Sequence, residues 1–152
     1  MAAEGLTQQG MLTQIAFTVP DIEKASKAWA AALGVPVPEW HLTDPVEQAH
    51  TKYQGRPTPA RAKLAFFNLG QVSIELIEPV DGPSTWRDGL EAVGYGVHHV
   101  AFHVEDADAA VARLGEQGVP VVQTGDYTGG RYIYLDAIKQ LGVTLELLAK
   151  RP

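Results

Sequence analysis

Four polar residues set into apolar stretches carry the chemistry this chain can do: Gln14, Glu75, His99 and Glu146. One imidazole, two carboxylates and one amide oxygen make a hard to borderline donor set with two negative charges, suited to a divalent ion such as Zn, Ni, Co, Mn or Fe. The chain has no cysteine, which excludes thiolate metal sites, cysteine nucleophiles and a disulfide framework together. Four donors on an octahedral ion leave two positions for adjacent substrate oxygens, where charge is stabilised as a proton leaves the neighbouring carbon. In that chemistry Glu146, with Glu75 opposite, moves the proton.

The elements that must position these groups come as a repeat. Gln14-Ile15-Ala16-Phe17-Thr18-Val19-Pro20-Asp21 returns as His99-Val100-Ala101-Phe102-His103-Val104-Glu105-Asp106, and Val72-Ser73-Ile74-Glu75-Leu76 returns as Val143-Thr144-Leu145-Glu146-Leu147. Residues 12–19 read as a strand, Asp21 as the N-cap of a helix over 22–33, and Gly34 with Pro36 as its end. The second half repeats the plan: Asp106 caps a helix carrying Ala110, Val111 and Leu114, and Gly118-Val119-Pro120-Val121 echoes Gly34-Val35-Pro36-Val37. Strands follow at 63–69 and 72–77, then at 131–136 and 143–149, and both halves are read as βαβββ with one strand of each left without bounds. The stretch 80–97 connects them through a turn and a short helix over 85–93, while 40–61 has no counterpart in the second half and reads as an inserted loop.

Alternation sorts the side chains, because neighbouring residues of a strand face opposite sides of the sheet. Ile15, Phe17, Val72, Ile74, Val100, Phe102, Val143 and Leu145 share the face that packs on helices, and Gln14, Glu75, His99 and Glu146 point the other way among small neighbours. That second face reads as hollow. Solvated polarity is the ordinary alternative for any one of the four; matched placement in both copies favours a shared site. Near it, His103 lies two residues beyond Ala101 on the face of His99, Tyr132 and Tyr134 form one face of their strand, and Arg131, Arg56 and Arg61 are anchors for an anionic substrate. His98 must point away from His99 and reads as a packing or capping residue, whereas nothing fixes the direction of His41 or His50.

A net charge of -6 with scattered Lys and Arg leaves no basic face for nucleic acid. Residues 1–10 lack the basic start and apolar core of a leader, and no apolar run approaches the length of a membrane span, so the expectation is a cytoplasmic protein with a small-molecule partner.

Paired βαβββ modules with donors on the first and last strand of each resemble the vicinal oxygen chelate superfamily over almost the whole chain, from Leu12 to Leu148. The resemblance implies an α+β fold in which the two modules' mixed sheets curl into a cup: a single domain over 1–152, with module one at 11–79, a linker at 80–97 and module two at 98–149. Gly94-Tyr95-Gly96-Val97-His98-His99-Val100-Ala101-Phe102 and Ile74-Glu75-Leu76-Ile77-Glu78-Pro79 closely resemble segments of methylmalonyl-CoA epimerases. Those enzymes and bacterial glyoxalase I have His where this chain has Gln14; the Gln, Glu, His, Glu set is similar to that of animal glyoxalase I. The resemblance implies a divalent-metal-dependent isomerase or lyase, epimerase-like or glyoxalase-like, with metal ligands Gln14, Glu75, His99 and Glu146, and a homodimer whose cup closes within one chain or by exchange of modules. The alternative is a metal-free binding protein for an antibiotic or aromatic natural product. A ring-cleavage dioxygenase fits less well, because Gln14 stands where its second His belongs.

Overall fold

The computed structural model describes residues 5–152. The expectation about a leader concerns residues 1–10, of which the first four lie outside them. In chain order the elements are α1 (Leu6–Gln9), β1 (Gly10–Thr18), α2 (Ile22–Leu33), β2 (His41–Leu42), α3 (Val46–Ala49), β3 (Lys52–Tyr53), β4 (Arg56–Pro57), β5 (Arg61–Leu69) and β6 (Val72–Val80). There follow α4 (Thr85–Val93), β7 (Gly96–Val104), α5 (Ala107–Glu116), β8 (Val121–Tyr127), β9 (Gly130–Leu135), α6 (Ile138–Leu141) and β10 (Thr144–Ala149). No helix among the described residues is long and apolar enough to cross a membrane.

Local chemistry explains the helices. The Asp21 side chain accepts from the amides of Glu23 and Lys24, and Gly34 closes α2 in the left-handed region at φ 71°. Asp106 accepts from the Ala109 amide in the same way at the start of α5. Each helix covers its own module: Ile22, Ala25 and Ala30 pack with Leu76 and Phe67, and Ala107, Ala110 and Leu114 with Leu145, Leu147 and Ile133. Burying each of these large aliphatic side chains stabilises the fold by about 1.5–3 kcal/mol.

All ten strands form one curled sheet, in the order β2-β5-β6-β1-β7-β10-β9-β8-β3-β4. At its centre β1 and β7 run antiparallel, flanked by β6 and β10, each parallel to its neighbour. The registers of the two halves coincide: Gln14 faces Ser73 and Ala16 faces Glu75, just as His99 faces Thr144 and Ala101 faces Glu146. This is the α+β fold with a curled cup that the resemblance implies, and the strands of the described residues pair with one another in a single sheet.

The inserted stretch departs from the expectation of a loop. It forms β2 on β5 at one edge of the sheet and the β3–β4 hairpin on β8 at the other. Residues 43–51 therefore run as a strap from one edge to the other. The strap is tied at one end by Thr43, whose amide donates to the Ala62 carbonyl at 2.9 Å and whose hydroxyl accepts from the Ala62 amide at 3.0 Å. At the other end His50 Nδ1 lies 2.9 Å from Asp126 Oδ2.

The linker also does more than connect. Ser84 caps α4 by accepting from the Arg87 amide, and the helix drops Trp86, 3% exposed, into the cup against Ala16, Tyr132 and Tyr134. The inner face is hollow only where this plug leaves space.

Candidate metal centre

Glu75 on β6, His99 on β7 and Glu146 on β10 converge at the floor of the cup, at 5%, 0% and 4% exposure. Ala16 and Ala101, opposite the two glutamates in the ladders and both fully buried, leave the room that lets the three side chains meet. His99 Nε2 lies 3.2 Å from Glu75 Oε2 and 2.9 Å from Glu146 Oε2. Yet Nε2 and both of those oxygens are buried without a hydrogen-bond partner. The three donor atoms thus lie close to one another without forming N–H···O hydrogen bonds.

That arrangement fits a divalent cation. Ligand bonds of about 2.1 Å at right angles place neighbouring donors about 3.0 Å apart, which matches both separations. The charges agree with this, because two buried carboxylates around one imidazole leave net negative charge in a low-dielectric pocket, a costly arrangement without a compensating cation. Burial pushes the His99 imidazole down, but the charges of Glu146 and Glu75 outweigh it and hold the group up at about 10. Burial likewise raises the Glu75 carboxyl, against the opposing pull of His99. The metal-free site is therefore one that holds protons.

His98 is placed by a feature that alternation alone does not show. Across the β1–β7 pair, Ala16 faces His99 and Phe17 faces Val97, so His98 is the extra residue of a β-bulge; Thr13 is its counterpart in β1, between the Leu12 and Gln14 pairs. The bulge brings the buried His98 Nδ1 to 2.8 Å from His99 Nδ1, correcting the expectation that it points away. One of the two nitrogens must donate, and a His99 that ligates through Nε2 carries its proton on Nδ1 and gives it to His98. Burial and the neighbouring His99 push the His98 imidazole down to about 3, so it stays neutral. Gly89 of α4 makes space for that ring: a Cβ there would lie 3.0 Å from His98 Cδ2.

Above the floor opens a cavity of about 380 Å³. Gln14, half-buried, lines it beside Glu75 and Glu146, and Tyr132 and Tyr134 form a wall, with Phe66 and Leu64 among the residues facing them. Tyr134 Oη accepts from the Trp86 indole at 3.0 Å, and Tyr132 Oη accepts from the Gln123 amide at 3.1 Å. Burial holds both phenols above their ordinary range, so both keep their protons. Gly125 of β8 admits the Tyr132 ring, since a Cβ there would lie 2.5 Å from it.

Two of the expected substrate-binding residues are placed elsewhere. His103 is exposed, faces Met11, and is absent from the cavity wall; four residues beyond His99, it is carried about 13 Å along the strand. Arg131 bonds Asp108 of α5 at 3.1 Å, on the helix side of the sheet. Its alternation with Tyr132 already puts it on the face of Ile133 and Leu135. What sequence reasoning missed is His41, which lines the cavity from β2, stacks on Phe66 at 5.8 Å and acts electrostatically on Glu75. Trp86 was missed as well, since only the tertiary path of the linker puts it there.

The sequence signature described as the Glyoxalase/Bleomycin resistance protein/Dioxygenase superfamily matches residues 13–135. The chain is similar to the 2-epi-5-epi-valiolone epimerase of an Actinomyces species, 29% identical over 156 residues, covering 97% of this chain and 84% of that one. It is 31% identical to the ethylmalonyl-CoA/methylmalonyl-CoA epimerase of Cereibacter sphaeroides over 118 residues, 77% of this chain and 78% of that one. Its fold matches the crystal structure of methylmalonyl-CoA epimerase from Mycobacterium tuberculosis at a TM-score of 0.63, with 24% identity over 100% of this chain and 94% of that one. With the signature spanning both modules and every site residue except Glu146, the chain belongs to the glyoxalase/bleomycin resistance/dioxygenase superfamily and is similar within it to epimerases.

Proposed function

We propose that this protein is a divalent-metal-dependent isomerase that moves a proton at the carbon next to a carbonyl, in the manner of an epimerase. The observation that carries the reading is the buried trio of Glu75, His99 and Glu146, whose donor atoms all lie within 4.8 Å of one another. These three, with Gln14, would hold the ion, which when bound supplies Lewis-acid polarisation of a substrate carbonyl. His98 fixes the tautomer of His99 through the 2.8 Å contact between their Nδ1 atoms. Glu146 takes the proton from carbon, and the electron pair left behind spreads onto the neighbouring carbonyl oxygen. Glu75, on the other side of the site, returns a proton to the same carbon, so that configuration changes with no net oxidation. The cup and Trp86 keep bulk water from the floor, which strengthens every charge interaction there.

Elemental analysis of the purified protein is the first test, joined by deuterium incorporation from D2O into candidate carbonyl substrates. A Glu146→Gln variant that kept full metal binding and full turnover would overturn the assigned role. One observation favours a second reading, a metal-free binder of an aromatic compound: Trp86, Tyr132 and Tyr134 form a contiguous aromatic wall, with ring centroids 5.0–6.3 Å apart. A melting temperature that rises with divalent metal and falls with chelator decides against that reading, since a ligand held by the native state alone stabilises it.

A further inference from the structure

We propose that the cavity is built for a neutral, polyhydroxylated carbonyl compound of sugar or cyclitol size, and against acyl thioesters bearing carboxylate or phosphate groups. This rests on the epimerase reading and names its substrate class. The walls carry four carboxylates: Glu75 and Glu146 at the floor, Asp44 on the strap and Asp126 on β8. Among the described residues neither Lys nor Arg lines the cavity, and its one basic side chain is the His41 imidazole. Three of the chain's cations are engaged elsewhere. Arg61 Nε donates to the Thr43 carbonyl at 2.7 Å, Arg131 bonds Asp108, and Lys63 Nζ pairs with Glu78 at 3.0 Å.

What the walls offer instead is neutral. The Trp86 indole can only donate, so Tyr134 Oη accepts from it and its own hydrogen is left for an acceptor in the cavity. Tyr132 accepts from Gln123 and is bonded as well to the Thr51 side chain, and the hydroxyls of Thr43, Thr51 and Thr128 complete the set. Asp44 accepts from hydroxyl groups but repels anions, and Asp126, paired with His50, offers its remaining oxygen as an acceptor. Two pre-oriented phenols, three hydroxyls and acceptor carboxylates complement a ligand that presents many O–H groups and a carbonyl but no charge. The two floor glutamates already balance a divalent ion, so the ion adds little attraction for a second anion.

The test is calorimetric titration and melting-temperature measurement on metal-loaded and metal-free protein, using an inosose and two ketohexoses as neutral probes and methylmalonyl-CoA as the anionic one. The expected result is saturable binding and thermal stabilisation by at least one neutral probe, with methylmalonyl-CoA weaker by roughly tenfold or more. Asp44→Lys, on the exposed strap, should narrow that gap by improving binding of the thioester. Tighter binding of methylmalonyl-CoA than of every neutral probe, or no binding by any neutral probe, overturns the proposal. Failure of the epimerase reading looks different: a neutral probe binds and stabilises the protein, yet takes up no deuterium from D2O.

Discussion

In module two Tyr134 faces Glu146 across the sheet and Tyr132 faces Leu148; in module one the matched positions are Phe66, facing Glu75, and Leu64, facing Ile77. The same substitution of character runs through the rest of the site. His99 stands against Gln14 in the paired central strands, and at the paired bulges His98 stands against Thr13. Backbone registers are held in common while the side chains diverge. The matched registers thus bring the two carboxylates together, while the second module sets phenols and an imidazole where the first sets Phe66, Leu64 and Thr13. A pair of equal modules would offer a ligand two equal walls; this pair offers two unlike ones.

The largest expected effect tests whether the two glutamates differ at all. Glu146→Gln should lower kcat by roughly 10²–10⁴, the usual worth of a positioned acid or base, whereas Glu75→Gln should cost less; equal losses would mean that the floor is functionally symmetric. Steady-state rates at saturating metal make the comparison.

The bulges come next. His98→Phe should weaken metal affinity by about 10–100-fold, as loss of a hydrogen bond behind a ligating His does, while Thr13→Val at the matched bulge should leave it unchanged. Chelator competition measures both. The facing walls give a third contrast: Tyr134→Phe removes a donor but keeps the ring, and should reduce kcat by about tenfold to a hundredfold for a loss of about 1 kcal/mol in stability. Phe66→Tyr should leave kcat within about threefold.

The smallest effect comes from erasing the asymmetry. Gln14→His makes the two central strands alike and should raise metal affinity by no more than about tenfold. The pH dependence sharpens this. Metal must displace the proton that the two carboxylates hold on His99 up to about pH 10, so affinity should rise with pH, by up to about tenfold per unit for one proton released. The imidazole introduced by Gln14→His stands beside the same two carboxylates, so it too would hold a proton to be displaced, and the variant's curve should run steeper than the parent's. Titration in buffers of different ionisation enthalpy counts the protons.

Much of this was legible in the sequence because alternation and repetition are local properties. Gln14, Glu75 and Glu146 reach the cavity wall, and His99 the floor, because each lies on the correct parity of a strand whose apolar face is unambiguous. The same rule assigns Arg131 to the outer face, away from the role first given to it. What stayed hidden depends on pairing between distant segments. The bulge at His98 is a property of two strands together, so a single strand read by itself places that ring on the wrong side. His103 has the right parity, but distance along the strand removes it. Trp86 and His41 come from segments without repeat partners, where no matched copy could flag them.

The strap that bounds the cavity has a consequence for the protein's behaviour in a crowded solution. An open sheet ordinarily ends in strands whose unpaired amides and carbonyls can recruit another chain. Here β5 and β8, nine and seven residues long, are each covered by a two-residue strand from the same insert, β2 and β3, with β4 outermost. Each stub pairs with only two residues of the strand beneath it, which interrupts the run of unpaired groups that could template intermolecular pairing. Shortening the insert would bare two full-length strands at once, and the expected phenotype is aggregation before loss of fold.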